Sequence, residues 1–99
     1  MEEQCCCTRK KERSEAEHRD LINRLSRIEG QVRGLKRMVD EDCYCVDILT
    51  QVSATTAALN SFTKELLSTH IRTCVADDIR AGNDEKVEEL VKTLQKLLK

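Results

Sequence analysis

Three side chains in the middle of the chain, Cys45, His70 and Cys74, are of the types that bind soft or borderline metal ions. His70 and Cys74 are four residues apart, so on a helix their side chains share one face and could bind one ion. Two thiolates and one imidazole suit Cu(I) in a trigonal site, or Zn(II) with a fourth ligand. The alternative is that His70 is a lone polar residue on a helix and that both cysteines are small buried apolar groups.

The stretch that must position these residues, 43–74, is predicted to form one long amphipathic helix. It contains no Gly or Pro, and its apolar residues, with one Thr among them, recur at steps of three and four. The members of this stripe are Leu49, Val52, Thr56, Leu59, Phe62 and Leu66. On a straight helix Cys45 lies 25 residues (70 − 45) before His70, which is roughly 37 Å. One chain therefore cannot bring Cys45 and His70 to the same ion.

Two antiparallel copies of this helix would solve the distance problem. Cys45 of one copy would then lie beside His70 and Cys74 of the other, with the two-fold axis near residue 58. The small side chains of residues 53–58 would let the two helices approach closely. The sequence thus predicts a dimer with a Cys-His-Cys site shared between chains and made twice by symmetry.

Size and composition favour one small helical domain that oligomerises. The chain has 99 residues, of which 35% are charged, with three Gly, no Pro and only two aromatic residues, so its own core must be thin. The net charge is −1, but residues 9–37 carry ten Lys/Arg against five Asp/Glu. Such a basic N-terminal region suits phosphate contact, although many solvated helices have the same composition.

The absence of a secretory signal and of an apolar run of membrane-spanning length predicts a cytoplasmic protein with reduced thiols and no membrane partner. In that setting six cysteines favour metal or redox chemistry over a structural set of disulfides. Residues 1–13 are polar and aperiodic, and we expect a disordered tail that carries the adjacent thiols Cys5, Cys6 and Cys7. A single helical domain is expected over residues 14–99.

Three helices are expected in this domain, which makes the fold class all-α. Ser14 and Glu17 form a predicted capping box at the start of the first helix. A heptad seam follows, formed by Leu21, Leu25, Ile28, Val32, Leu35 and Val39. The second helix is predicted from about Cys45 to Arg80, with Gly82 in a C-cap role, and a third helix follows.

Several segments resemble the CsoR/RcnR family of bacterial metal-sensing repressors, and specifically its copper-sensing branch. The matching residues are RIEGQVRG at 27–34, YCVDILTQ at 44–51, and His70 with Cys74, and the resemblance covers nearly the whole chain from about Leu21. It implies three-helix protomers that pair as an antiparallel four-helix-bundle dimer and assemble into a disc-shaped dimer of dimers, a homotetramer. It also implies binding of operator DNA without a helix-turn-helix, and it raises a copper chaperone as a candidate partner.

The resemblance implies roles for particular residues as well. Cu(I) would bridge two chains through Cys45 of one and His70 and Cys74 of the other. Tyr44 and a third-helix Glu would hydrogen-bond around His70; that Glu is Glu89 if one residue is deleted in the preceding loop, whereas an ungapped count reaches Leu90. DNA contacts would rest on basic residues of the first helix, matched by Arg24, Arg27, Arg33 and Arg37. The family's basic residue midway along the second helix is replaced by Ser61.

The leading hypothesis is a copper-responsive repressor that leaves DNA when Cu(I) binds. The alternative is a persulfide or thiol-redox sensor in which Cys45 and Cys74 are bridged across chains, and the extra thiols at Cys43 and in the tail are compatible with sulfur chemistry. His70 and Cys74 could also form a base–nucleophile pair, but one helix face offers no oxyanion hole, so we expect no enzyme. A purely structural helical oligomer is the remaining hypothesis.

Overall fold

The computed structural model describes residues 12–97, and every regular element in that range is helical. Helix α1 spans Glu15–Asp40 and α2 spans Cys45–His70. A π-helical turn at Ile71–Val75, helix α3 at Ala76–Arg80 and helix α4 at Glu85–Leu97 follow. The predicted disordered tail falls almost wholly on residues 1–11, which lie outside the described range.

Helix α2, the π-helical turn and α3 form one continuous segment, residues 45–80, because the backbone keeps right-handed helical angles at both junctions. We call this segment the rod. The protomer therefore consists of three helical units, namely α1, the rod and α4. This confirms the predicted all-α, three-helix protomer and the predicted extent of its second helix.

Helix α1 begins where the sequence predicts. The Ser14 hydroxyl accepts a hydrogen bond from the backbone N–H of Glu17 at 3.1 Å, which satisfies one of the free donors of the first turn. The acidic side chains of Glu15 and Glu17 lie in that turn, where the helix dipole favours negative charge. The Ser14 half of the predicted capping box is confirmed.

The C-terminus of the rod is closed by a Schellman motif centred on Gly82, whose φ is 87°. The Gly82 N–H donates to the Ile79 carbonyl at 2.9 Å and the Asn83 N–H donates to the Asp78 carbonyl at 3.0 Å. Glycine suits this position because a left-handed backbone brings Cβ of other residues into steric conflict. The predicted C-cap role of Gly82 is confirmed.

The same motif closes α1, but with a non-glycine residue at its centre. Asp42 has a φ of 55°, its N–H donates to the Val39 carbonyl at 3.1 Å, and the Cys43 N–H donates to the Met38 carbonyl at 2.9 Å. The turn that follows delivers the chain to Cys45, the first residue of α2. An unusual backbone conformation therefore sets the start of the rod.

The predicted heptad seam of α1 is divided between two faces. Leu21 and Ile28 are buried and Leu35 is half-buried, on the side where α1 packs along α2. The alternate members stay exposed, at 40% for Leu25, 44% for Val32 and 61% for Val39. One protomer thus covers only half of the seam.

The rod shows the same division over its first four turns. The side chains that are buried or half-buried there are Ile48, Gln51, Thr55 and Ala58. The predicted stripe lies one residue further on, and its first members are uncovered, with Leu49 65%, Val52 40% and Leu59 45% exposed. Its last members, Phe62 and Leu66, are half-buried. Among residues 12–97 the buried apolar side chains are Leu21, Ile28 and Val75, so the core of one protomer is small.

Helix α4 packs against the π-helical turn and is anchored by α3. The Asp78 carboxylate accepts a hydrogen bond from the backbone N–H of Lys86 at 3.1 Å, in the first turn of α4. None of the helices described is both long and apolar enough to cross a lipid bilayer.

Candidate metal centre

His70 is the last residue of α2, and Cys74 lies within the π-helical turn that follows. A π turn has i→i+5 hydrogen bonds and one more residue per turn than an α-helix, and such turns are frequent at functional sites. Both side chains are half-buried. The sequence predicts an uninterrupted α-helix here, and the only sign of the change is the alternation of β-branched Ile71, Thr73 and Val75, which weakens helix propensity.

The Cys74 sulfur lies 3.7 Å from the Thr73 hydroxyl oxygen. That hydroxyl also lies 2.8 Å from the Thr69 backbone carbonyl, to which it donates. The Cys74 sulfur is therefore the second and more distant acceptor of the Thr73 hydroxyl. A metal ion would bind this sulfur as the thiolate.

Cys45 is exposed at the opposite end of α2, and Cys43, Cys45 and Cys74 are all free thiols. Since α2 is continuous, Cys45 and His70 are separated by roughly 37 Å of helix. Within the described part of a single chain, no group of three His, Cys, Asp or Glu side chains is placed to hold a metal ion. The predicted donors are of the right chemical type, but one chain leaves them in two separate places.

A groove of about 380 Å³ lies between the end of α2, helix α4 and the start of α1. His70 and Glu89 both line it, as does Leu90, so either alignment of the third-helix glutamate reaches the same groove. Most of the remaining lining is apolar or a threonine hydroxyl, contributed by Thr63, Leu66, Leu67, Thr69, Thr93 and Leu97. The structure therefore brings His70 and Glu89 to one site, whereas Tyr44 lies beside Cys45 and is 71% exposed.

Two further polar residues of this groove are not predicted from the sequence. Arg13 and Glu17, from the start of α1, line it, and the Arg13 guanidinium lies 3.6 Å from the Glu17 carboxylate. In the sequence Glu17 is recognisable only as a helix-capping residue. Its position in the lining of the groove depends on the packing of α1 against the far end of α2, and no local sequence pattern reveals this packing.

The four arginines predicted to contact DNA do not share one narrow face of α1. At about 100° per residue they are spread over about half of the helix circumference, in the order Arg24, Arg27, Arg37 and Arg33. Arg27, Arg33 and Arg37 are exposed, and Arg24 is half-buried. A single protomer thus presents a broad basic band along α1.

Arg24 bridges α1 and α2. Its Nε donates to the Asp20 carboxylate at 2.9 Å, and one terminal nitrogen donates to the Ser61 hydroxyl at 3.0 Å. The other terminal nitrogen lies 4.0 Å from the Glu65 carboxylate. The hydrogen bond to Asp20 is the main cause that raises the pKa of the Arg24 guanidinium above its ordinary value. Ser61, where the resemblance leads one to expect a basic residue, is instead a hydrogen-bond acceptor for Arg24.

The fold and the donor set define a small all-helical protein with two thiols and an imidazole distributed over one long helix. Residues 17–96 match the family model described as metal-sensitive transcriptional repressor. The chain belongs to the family of metal-sensitive transcriptional repressors. This confirms the resemblance stated from the sequence, and the family is one of transcriptional regulators and not of enzymes.

Two relatives are similar over most of their length. The copper-sensing transcriptional repressor CsoR of Bacillus subtilis strain 168 is 47% identical over 88 residues, which cover 88% of this chain and 87% of that protein. The copper-sensing transcriptional repressor RicR of Mycobacterium tuberculosis H37Rv is 44% identical over 79 residues, covering 77% of this chain and 82% of that protein.

Two solved structures share the fold. The crystal structure of the copper-sensing repressor CsoR with Cu(I) from Geobacillus thermodenitrificans NG80-2 superposes with a TM-score of 0.86 at 42% identity, covering 91% of this chain and 95% of that one. The nickel-responsive transcriptional regulator InrS superposes with a TM-score of 0.71 at 36% identity, covering 88% and 96% respectively.

Proposed function

We propose that this protein is a Cu(I)-responsive repressor, which binds operator DNA without metal and is released when Cu(I) binds, so that copper efflux genes are expressed. One observation supports this proposal most strongly. Cys45 lies at one end of a continuous helical segment and His70 and Cys74 lie towards its other end, with exposed apolar side chains between them. The copper-sensing function of the relatives and of the Geobacillus structure supports the choice of metal.

The proposed assembly is an antiparallel dimer in which two α1 helices and two rods form a four-helix bundle. The exposed stripe at Leu49, Val52 and Leu59 is centred near the middle of α2, where a two-fold axis must lie if the ends are to meet. The exposed half of the α1 seam, on Leu25 and Val32, supplies a second apolar strip. Burying both strips would give each protomer the core that it lacks alone. Two such dimers would form the disc-shaped tetramer.

In this dimer Cys45 of one copy approaches His70 and Cys74 of the other. The exposure of Cys45 allows its thiolate to reach a second chain, whereas His70 and Cys74 stay on their own rod. Cu(I) bound there supplies a soft Lewis acid that holds the two thiolates and the imidazole in one trigonal set. A copper chaperone is a candidate donor of the ion to the exposed Cys45 thiol, and a cytoplasmic location would keep these thiols reduced.

The coupling to DNA is proposed to pass through the groove that His70 and Glu89 line. A metal-bound imidazole usually donates its second ring N–H to an oxygen acceptor, and the position of Glu89 in the lining of the same groove supports this role for its carboxylate. Tyr44 of the second copy arrives with Cys45 and would complete the polar surroundings of His70. Since α4 and the start of α1 form the other walls, a change at His70 reaches the helix that carries the basic residues. Linkage requires that Cu(I) binds the DNA-free form more tightly than the DNA-bound form, by the same factor by which Cu(I) weakens operator binding.

The test is anaerobic fluorescence anisotropy with a labelled duplex that the metal-free protein has selected from a random-sequence pool. Cu(I), Zn(II) and a persulfide donor are titrated separately into the complex. Release at one Cu(I) per protomer, and not with the other two, is the expected result. Release with the persulfide donor alone would overturn the copper assignment in favour of the sulfur-sensing alternative, and failure to select any duplex would overturn the repressor function itself.

A further inference from the structure

The guanidinium of Arg24 is held in one orientation across the α1–α2 interface by groups that use only part of its donor capacity. The Arg24 Nε donates a hydrogen bond to the Asp20 carboxylate at 2.9 Å, and one terminal nitrogen donates to the Ser61 hydroxyl at 3.0 Å. The second terminal nitrogen lies 4.0 Å from Glu65, which is an ion pair but too long for a hydrogen bond. These two bonds use two of the five guanidinium N–H donors, and two of the remaining three are on this second terminal nitrogen. The Arg24 side chain remains 30% exposed, so these donors are available to an outside acceptor.

The charges around this nitrogen do not favour a phosphate. One guanidinium faces two carboxylates, Asp20 and Glu65, so the cluster carries a formal charge of −1 (+1 − 2). Their side chains are 51% and 43% exposed. A phosphate in contact with Arg24 would lie within about one Debye length, ~8 Å at physiological salt, of both carboxylates, so their repulsion is only partly screened.

We propose that Ser61 positions Arg24 for a backbone phosphate of DNA and that Glu65 competes with that phosphate for the free terminal nitrogen. Glu65 is thus an affinity-limiting residue of the DNA surface, although it contacts no DNA itself. The inference rests on the proposed function, because it requires that the metal-free protein binds duplex DNA through α1. It concerns two residues of α2, the helix that also carries the metal donors.

The direction in which each substitution should change the DNA affinity follows from these roles. Glu65→Gln removes the competing charge and retains the side-chain shape, so the affinity for the selected duplex should increase about two- to fivefold for each protomer in contact, the range of an exposed ion pair. The slope of log K against log salt should steepen by about 0.9 per added phosphate contact. Ser61→Ala removes the positioning hydroxyl, and the affinity should fall about twofold, the value of a solvent-exposed hydrogen bond.

A double-mutant cycle with Arg24→Gln decides whether these effects act through Arg24. The full-length, metal-free wild type, Glu65→Gln, Ser61→Ala, Arg24→Gln and both double variants are compared by anisotropy on the selected duplex over a range of salt. Both effects should vanish in the Arg24→Gln background. Glu88→Gln, which removes an exposed carboxylate from α4, away from the basic residues of α1, serves as the control for net charge.

The inference would be overturned if the wild type binds the duplex and the Glu65→Gln variant binds it with the same affinity and the same salt slope. It would also be overturned by a gain in affinity that persists in the Arg24→Gln background or that Glu88→Gln reproduces. If the wild type itself binds no duplex, the proposed function fails first. Both Glu65 and Ser61 keep partly or largely exposed side chains, so circular dichroism of the variants is expected to match that of the wild type.

Discussion

The Asp78 carboxylate accepts a hydrogen bond from the backbone N–H of Lys86 at 3.1 Å, and this bond caps α4 with a side chain from α3. Asp78 is half-buried, and its backbone carbonyl also takes part in the Gly82 turn. The bond therefore fixes the direction in which α4 leaves the rod. Because Glu89 lies one turn into α4, Asp78 also fixes where Glu89 meets the groove of His70.

Replacing Asp78 with Ala should loosen α4 without affecting the metal donors. Loss of such a cap costs about 1 kcal/mol, and here we expect it to weaken mainly the packing of α4 against the rod. We expect faster amide hydrogen exchange over residues 85–97 and a weaker effect of Cu(I) on DNA binding, with unchanged Cu(I) stoichiometry. Asp77→Ala is the matched control, because Asp77 is exposed and pairs only along its own helix with Arg80 at 3.3 Å. Equal exchange rates in both variants would contradict the role of Asp78.

A metal site shared between chains can be tested by mixing two defective chains. Cys45→Ser and Cys74→Ser should each lose tight Cu(I) binding, because each destroys both sites of its own homodimer. After joint unfolding and refolding, half of the dimers are mixed, and each mixed dimer regains one intact site of two. Cu(I) bound should then return to about one quarter of the wild-type stoichiometry, measured by anaerobic competition with a chromophoric chelator. No recovery on mixing would place the ligands within one chain.

His70 should be more important for the response than for retention of the metal. In His70→Ala the two thiolates still offer a soft two-coordinate site for Cu(I), but the imidazole that links the metal to the groove of Glu89 is gone. We expect Cu(I) binding with little or no release from DNA. His18→Ala is the control, since His18 is the other histidine of the chain and is exposed on α1. Wild-type release by His70→Ala would remove His70 from the coupling.

The helical architecture is readable from the sequence because its signals are local. Ser14 at the first cap, Gly82 at the end of the rod and the absence of Gly and Pro between residues 43 and 74 each act within a few residues. The division of the α1 seam could not be predicted in the same way. A heptad pattern shows that Leu21 and Leu25 are apolar, but which of them faces α2 depends on the crossing of the two helices.

The site is predictable only in part for the same reason. The donor types and the length of helix between Cys45 and His70 follow from the sequence, and together they predict that one chain cannot complete the site. The π-helical turn that carries Cys74 could not be predicted from the sequence, because the local sequence is also compatible with an α-helix. The contact of Arg24 with Ser61 joins residues 37 positions apart, and no pattern within either helix indicates it.

The turn between α1 and α2 offers a direct test of backbone strain. Asp42 adopts a φ of 55°, and its carboxylate lies at the C-terminal end of α1, where the helix dipole disfavours negative charge. Asp42→Gly relieves both costs but adds freedom to the unfolded chain, so the net gain in the free energy of unfolding should be about 0.5–1 kcal/mol. Asp42→Asn keeps a side chain that tolerates this conformation and removes only the charge, so it should give the smaller gain.

The measurement is urea unfolding of the metal-free protein, followed by circular dichroism at one fixed protomer concentration, because oligomerisation makes the apparent stability depend on concentration. Gly82→Ala provides the converse, since Gly82 occupies the same position of the second Schellman motif with a φ of 87°. An added Cβ there meets no heavy atom within 4 Å, so the expected loss of about 1 kcal/mol would come from the backbone alone. A destabilised Asp42→Gly would contradict the claim that backbone strain and charge at Asp42 cost stability. A Gly82→Ala variant as stable as the wild type would contradict the need for glycine at the second turn.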